Sequence, residues 1–123
     1  MGYLTASGRG AASDPSWYVF NHARVYGSGG AGSTYLGRPW GTYARVVWQN
    51  SQLGDVVNAK GWSIWTSTSS TANVYFKEFN NTGAGAGTSQ RVSFSGQLKS
   101  AVAITDILGE DYKSQWWDDT SFL

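Results

Sequence analysis

Three adjacent residues combine a permanent positive charge with a large flat ring. Arg38, Pro39 and Trp40 stand inside the stretch YLGRPWGTYARVVWQNS, which occupies residues 35–51. Pro39 fixes its own φ and pushes Arg38 toward an extended conformation. The corner therefore presents a cation beside an aromatic ring, in a stretch that has no acid, histidine or cysteine. Because an arginine pairs with a carboxylate, the partner of Arg38 must come from another part of the fold.

The acids of this chain do not form an obvious catalytic group. Asp14 precedes Pro15 and Asp55 follows Gly54, so both are typical of turns. His22 is the only histidine, and its place in an apolar strand favours packing or a local hydrogen bond over a role as a base. Glu78 and the acids of the tail complete the set: Asp106, Glu110, Asp111, Asp118 and Asp119. The paired acids of the tail are typical of a solvated surface.

The composition excludes several classes of function. The 123 residues suffice for one domain, with nine Lys and Arg against eight Asp and Glu and a net charge of +1. No basic cluster suggests nucleic acid, and no apolar segment is long enough to cross a membrane. The absence of cysteine excludes disulfides and thiolate metal sites.

The elements that must position Arg38 and Trp40 form a loose repeat. Aromatic residues make up 15% of the chain and accompany sixteen glycines, a mixture typical of β-structure with many turns. Three apolar strands run into a polar corner, at residues 16–27, 44–55 and 73–83, and Asn21, Asn50 and Asn80 mark those corners. Shorter strand candidates cover residues 3–7, 33–40, 61–65 and 91–95. A period near 30 residues favours a β-solenoid of stacked parallel coils, in which corner asparagines can bond to one another.

Spacing alone leaves an antiparallel sandwich or barrel open as an alternative. The last segment differs from the rest, since Ile104, Ile107 and Leu108 have helical spacing. Thr105 or Asp106 is expected to cap a short helix that ends at Gly109. We therefore predict two parts: a partial β-helix over residues 1–99 and a tail over residues 100–123 that packs on it.

The motifs resemble those of pectin methylesterases. The stretches YLGRPW, YARVVWQNSQLGDVVN and GWSIW look like the C-terminal part of that family, and GYLTASGR resembles the segment after its nucleophile strand. The similarity extends over nearly the whole chain and is closest to the fungal branch. It implies an all-β fold, a right-handed parallel β-helix of which this chain holds about three partial coils. It also implies a secreted enzyme that hydrolyses methyl esters of polygalacturonate without a metal or organic cofactor.

The resemblance also implies roles for four residues. In the family, the arginine of the G-R-P-W motif pairs with a nucleophilic aspartate and keeps it ionised, which assigns a catalytic role to Arg38. The tryptophan of that motif lines the sugar-binding cleft, which assigns substrate binding to Trp40. Trp62, in the later G-W pair, and Tyr43 are expected near the same cleft. Composition alone favours the alternative that Trp40 and Trp62 are core rings.

One departure from the family is large. Its two catalytic aspartates and its oxyanion glutamine precede the GYLTASGR segment, and no acid of this chain matches their motifs. We therefore expect a chain that is inactive alone and that associates with the upstream half or with itself through exposed strand edges. The alternatives are a non-catalytic pectin-binding or structural module and a fragment without a function of its own.

Overall fold

The computed structural model describes residues 2–108, which wind into successive coils of a parallel β-helix. Every strand pair among these residues is parallel, so the antiparallel alternative is wrong. The strands are β1 (Gly2–Tyr3), β2 (Tyr18–Asn21), β3 (Arg24–Val25), β4 (Thr34–Tyr35), β5 (Arg45–Gln49), β6 (Gln52–Leu53), β7 (Tyr75–Phe79) and β8 (Ser95–Gln97). A single short helix follows, α1 (Ile104–Leu108).

Three sheets run along the solenoid. The longest has the order β2-β5-β7-β8, while β1 pairs with β4 and β3 pairs with β6. In the long sheet Val46 lies between Tyr18 and Phe76, which matches the repeat expected from the sequence. The three long strand predictions are confirmed. The stretch at 61–65 contributes only a bridge between Gly37 and Trp62, and the strand expected at 91–95 begins at Ser95.

The core is a stack of side chains between the three sheets. Phe20 lies on Trp48 with ring centroids 4.0 Å apart, and Trp62 lies on Phe76 at 4.4 Å. The first contact follows from the parallel register, which places Phe20 and Trp48 above one another in successive coils. Trp62 bridges to Gly37 and Phe76 pairs with Val46, so the second contact joins two faces of the solenoid across the core. The remaining fully buried apolar residues are Leu36, Ala44, Val46, Val47 and Leu53.

The polar corner is built from left-handed residues and linked asparagines. His22, Asn50 and Asn80 have φ values of 57°, 49° and 51°, respectively. Asn50 donates to Asn21 at 3.1 Å, and Asn80 donates to Asn50 at 3.0 Å, which confirms the expected asparagine bonding. The first corner differs by one position, because Asn21 pairs with Gln49 and His22 takes the left-handed conformation.

The segment before the helix is fastened to the long sheet. The Gln49 amide donates to the Val102 carbonyl at 3.1 Å and accepts from the Val102 N–H at 2.8 Å. The sequence predicts Thr105 or Asp106 as the helix cap, but the helix begins at Ile104, so both lie inside its first turn. The Asp106 carboxylate accepts a hydrogen bond from the Ala103 N–H, just before the helix, at 3.1 Å. Gly109 and the rest of the predicted tail, residues 109–123, lie outside the described residues.

Candidate functional site

The Gly-Arg-Pro-Trp corner is held against the first coil by main-chain bonds. The Arg38 N–H donates to the Thr5 carbonyl at 3.2 Å, and the Gly41 N–H donates to the Ser7 carbonyl at 2.9 Å. A Cβ on Gly37 would collide with the Thr5 hydroxyl, so this position requires glycine. Arg38 and Trp40 therefore project from a backbone whose position is fixed by residues 5–7.

Arg38 lies between two aromatic rings. Its guanidinium carbon is 3.9 Å from the centroid of Tyr3 and 4.2 Å from the centroid of Trp65. Both distances are well within the range of cation–π attraction. The motif does not predict Tyr3 or Trp65 as site residues, because they lie 35 and 27 positions away from Arg38 along the chain. Only the fold brings the three side chains together.

Arg38 has no anionic partner among residues 2–108. The ion pair found there joins Arg91 to Glu78, and the buried Nε–H of Arg38 donates to no acceptor among these residues. An arginine with an unpaired, buried Nε–H is ready to receive an acceptor such as a carboxylate oxygen. The site thus offers a positioned cation for an anion that the described residues do not provide.

Trp40 is exposed beside this cation. Its side chain has 68% of its surface open to solvent, and its ring rests against Gly8, where a Cβ would approach the ring to 2.6 Å. Trp65 lies next to it, with ring centroids 6.5 Å apart. A surface depression of about 270 Å³ adjoins the ring and is also lined by Arg9, Asp14, Trp17 and Tyr18. Trp40 is therefore available to pack against a ligand.

Arg9 shapes the loop that borders this depression. Its guanidinium donates to the main-chain carbonyls of Ala12, Asp14 and Tyr43 at 2.7, 2.7 and 3.0 Å. Tyr43 is half-buried, and both of its main-chain polar groups bond to Arg9. Its carbonyl accepts from the guanidinium, and its N–H donates to the Arg9 carbonyl at 3.0 Å. The structure thus places Tyr43 near the depression, without making it a lining residue.

Asp14 is the carboxylate that borders the depression. The Ser16 N–H donates to its Oδ1 at 2.9 Å, and this bond is the main reason why the pKa of Asp14 falls below its usual value. Arg9 and Arg45 lower the pKa of this carboxyl further through their charge. Asp14 is therefore an ionised turn residue, in agreement with the sequence interpretation.

Trp62 lies in the core and away from the surface. Its side chain is 0% exposed, it stacks on Phe76, and its indole N–H donates to Glu78 at 3.3 Å. A ring enclosed in this way has no face open to a ligand. The position of Trp62 therefore does not support the expected contact with substrate. It agrees with the alternative, in which Trp62 is a core ring.

Beside Trp62 lies a buried ion pair that sequence reasoning missed. Arg91 Nε is 2.8 Å from Glu78 Oε2, and Nη2 donates to Oε1 at 3.0 Å. The two side chains are only 4% and 1% exposed. Alternation along β7 was the available signal, because it places Glu78 on the same inward face as Phe76. The pair is internal, so it belongs to the scaffold.

The described part of the chain shows no constellation for a complete reaction. It holds no group of three or more acids, histidines or cysteines that could bind a metal ion. Within residues 2–108 there is also no helix long and apolar enough to cross a membrane. What the surface offers is a positioned cation next to an exposed ring, an arrangement suited to binding an anionic or acid-bearing group beside a flat apolar face.

Comparison with known proteins decides the family. The pectinesterase family model matches residues 1–109. The chain belongs to the pectinesterase family. Pectinesterase A of Emericella nidulans is 45% identical over 120 residues, and a pectinesterase of Aspergillus aculeatus is 48% identical over 126 residues. The aligned regions include 95% and 98% of this chain but only 35% and 37% of those relatives.

Structures of the pectinesterase family agree with the fold. The pectin methylesterase of Aspergillus niger superposes with a TM-score of 0.85 at 38% identity, over 98% of this chain and 39% of the other. The carrot pectin methylesterase superposes with a TM-score of 0.71 at 31% identity, over 80% and 33% of the two chains. The resemblance seen in the sequence is therefore confirmed, and so is the parallel β-helix.

Proposed function

We propose that this chain is the C-terminal part of a secreted pectin methylesterase and contributes one wall of its active site. Its substrate is methyl-esterified polygalacturonate, and the products are pectate and methanol. The observation that carries the proposal is the guanidinium of Arg38, fixed between Tyr3 and Trp65 without an acid partner in the described residues. Membership of the pectinesterase family supplies the reaction class.

Arg38 acts in this proposal as a positioning residue for a carboxylate from outside the chain. An aspartate attacks the ester carbonyl carbon, and methanol leaves with a proton from a second aspartate, which gives an acyl–enzyme anhydride. Water then gives a proton to the second aspartate and hydrolyses this anhydride, which releases the substrate carboxylate and the free nucleophile. A nearby guanidinium favours the ionised form of the nucleophile and fixes its orientation. No metal or organic cofactor enters this reaction.

Trp40 binds the sugar in this proposal. Its exposed ring, at the border of the 270 Å³ depression, can pack on the flat apolar face of a pyranose. Tyr43 is placed to support the same surface through its main-chain bonds to Arg9. Trp62 is left out of the proposed site because its ring is enclosed in the core.

The first coil is the surface on which we expect the upstream coils to stack. Within residues 2–108, strands β1, β2 and β3 each have a neighbour on one side only, so no described strand pairs with their other edges. Such edges pair readily with another strand. A second copy of this chain is the competing occupant of the same edges.

Methanol release from highly methylated pectin tests the proposal. We expect none from this chain alone and measurable release after it is refolded with the upstream part of the Aspergillus aculeatus relative. Release by the chain alone that disappears in Arg38→Ala would show a site completed within this chain or its oligomer. No release from the refolded mixture, despite a complex of the expected mass, would contradict the proposal.

A non-catalytic pectin-binding module is the second candidate, favoured by the exposure of Trp40. It predicts that the chain alone binds methylated oligogalacturonides and that Trp40→Ala weakens this binding about tenfold. Ile64→Ala, which removes an exposed apolar side chain that does not line the depression, is the matched control. Strong binding without methanol release from the refolded mixture would favour the module over the enzyme.

A further inference from the structure

A second groove lies on a different sheet from Trp40. It has a volume of about 380 Å³, and Arg24, Tyr26, Gln52, Gly54 and Thr82 are among its lining residues. None of the residues that line the depression at Trp40 takes part in it. The groove follows β3 and β6, whereas Trp40 follows β4, so the two surfaces belong to different sheets.

The parallel register explains the shape of the groove. Arg24 pairs with Gln52, and Gln52 bridges to Thr82, which places three polar side chains in one column along the solenoid. The next column points inward and contains Val25 and buried Leu53.

The outward side of the groove combines one large ring with small residues. Tyr26 and Gly54 follow the paired residues Val25 and Leu53, and Ala84 of the next coil also lines the groove. The small residues leave space beside the ring of Tyr26. At about 4.8 Å between coils, the three coils extend over roughly 10 Å.

The groove is preformed by the backbone. The Gly54 N–H donates to the Val25 carbonyl at 2.8 Å, and a Cβ on Gly54 would lie 2.8 Å from that same oxygen. The Leu53 N–H donates to the Thr82 carbonyl at 2.7 Å. These bonds tie the three coils together, so the floor of the groove does not need a ligand to form.

The chemistry of the lining points to an acidic sugar. Tyr26 is 82% exposed, the highest value among the large apolar side chains found open to solvent in residues 2–108. The Arg24 guanidinium carbon lies 5.9 Å from the centre of its ring. The lining contains no carboxylate, so Arg24 gives it a positive charge, while Gln52 and Thr82 offer hydrogen-bonding groups.

We propose that this groove is a second carbohydrate-binding site, which takes a de-esterified galacturonate segment. Tyr26 packs on a pyranose face, Arg24 receives the carboxylate in a charge-assisted bond, and Gln52 and Thr82 bond to hydroxyls. The choice of polymer rests on the proposed function. Arg24 selects the ionised product over the neutral ester, so the groove holds the part of the chain that has already been hydrolysed.

Calorimetric titration of this chain with trigalacturonate at low ionic strength tests the groove. We expect binding to weaken about tenfold in Arg24→Gln and in Tyr26→Ala, the size typical of losing one charged bond or one stacked ring. Ala84→Glu, which places a carboxylate in the groove without touching either residue, is expected to weaken it at least as much. Lys60→Gln removes one exposed charge elsewhere and is expected to change the affinity less than twofold.

The outcomes separate this proposal from its rivals. No binding of trigalacturonate, or equal losses in Lys60→Gln and Arg24→Gln, would overturn it, because the second result reflects net charge alone. The methyl-esterified trimer is expected to bind the groove about tenfold more weakly and to be insensitive to Arg24→Gln. Methanol release by the refolded mixture reports on the other site: if a complex of the expected mass releases none, the proposed function fails while the result at the groove stands.

Discussion

Removal of Arg91 is expected to destabilise the protein more than any surface substitution. Arg91 makes two bonds to Glu78, and it donates to the carbonyls of Asn58, Ala59 and Gly85 at 3.3, 3.0 and 2.9 Å. It therefore ties two loops between coils to strand β7. A shorter apolar side chain at this position removes all five bonds, so the Asn58 carbonyl keeps only the Gly61 N–H, and the Glu78 carboxylate keeps only the indole N–H of Trp62.

The magnitude follows from the burial of the pair. In Arg91→Met, the Glu78 carboxylate stays 1% exposed with only the 3.3 Å bond from Trp62 to support its charge. Breaking such a buried pair from one side costs about 3–5 kcal/mol. This is a large part of the roughly 5–15 kcal/mol that stabilises a typical domain. Glu78→Gln keeps the shape and one acceptor, so we expect a smaller loss of about 1–3 kcal/mol.

Urea unfolding followed by far-UV circular dichroism measures these losses. Arg24→Gln, at an exposed arginine, is the matched control and is expected to change the free energy of unfolding by less than about 0.5 kcal/mol. The double variant Glu78→Leu with Arg91→Met is expected to recover at least half of the loss of Arg91→Met, because it leaves no buried charge. A cost of Arg91→Met below about 1 kcal/mol would refute the reasoning, as would a double variant no more stable than the single one.

Three further predictions concern the corner, the acid loop and the core. Asn50→Ala is expected to lower the free energy of unfolding, measured in urea, by about 1–2 kcal/mol. Alanine at a φ of 49° is strained, and two asparagine hydrogen bonds are lost. Asn50→Gly is expected to cost less, because glycine adopts this conformation without strain. NMR titration is expected to give Asp14 a pKa below its ordinary value of 3.8. The contribution of Asp14 to the free energy of unfolding is therefore present above pH 3.8 and is lost as the pH falls through the lower pKa of the folded state. This pH dependence is expected to be absent in Asp14→Asn. Trp62→Phe is expected to reduce the free energy of unfolding by about 1 kcal/mol and to leave oligosaccharide affinity unchanged, whereas a change in affinity alone would place its ring at the ligand.

The sequence reveals much of the scaffold, because a coil repeat copies one pattern several times. The runs at 16–27, 44–55 and 73–83 each predict a long strand, and the long sheet contains β2, β5 and β7 at those places. The shift at Asn21 could not be predicted, since histidine and asparagine both tolerate the left-handed conformation. Only the register shows that His22 occupies the position of Asn50.

The candidate site is less visible in sequence than the scaffold. The motif identifies Arg38 and Trp40, but nothing near it indicates that Tyr3 and Trp65 enclose the guanidinium. Trp62 shows the opposite case, because the motif predicts more than the structure supports. The G-W motif suggests a position beside the cleft, but the side chain points inward and stacks on Phe76. The direction of a side chain depends on which residues pair between coils. These residues lie far apart along the chain, so the direction cannot be predicted from the neighbouring sequence.

The most direct test of the central claim is the pH profile of methanol release by the refolded enzyme that contains Arg38→Gln. If Arg38 holds a nucleophilic aspartate ionised, its loss raises that pKa, so the acid limb of kcat/KM shifts upward by about 1–3 pH units and kcat falls. Lys60→Gln, which removes an equal exposed charge elsewhere, leaves the limb in place. An Arg38→Gln profile that superposes on the unsubstituted one would contradict the assignment of Arg38 to the active site.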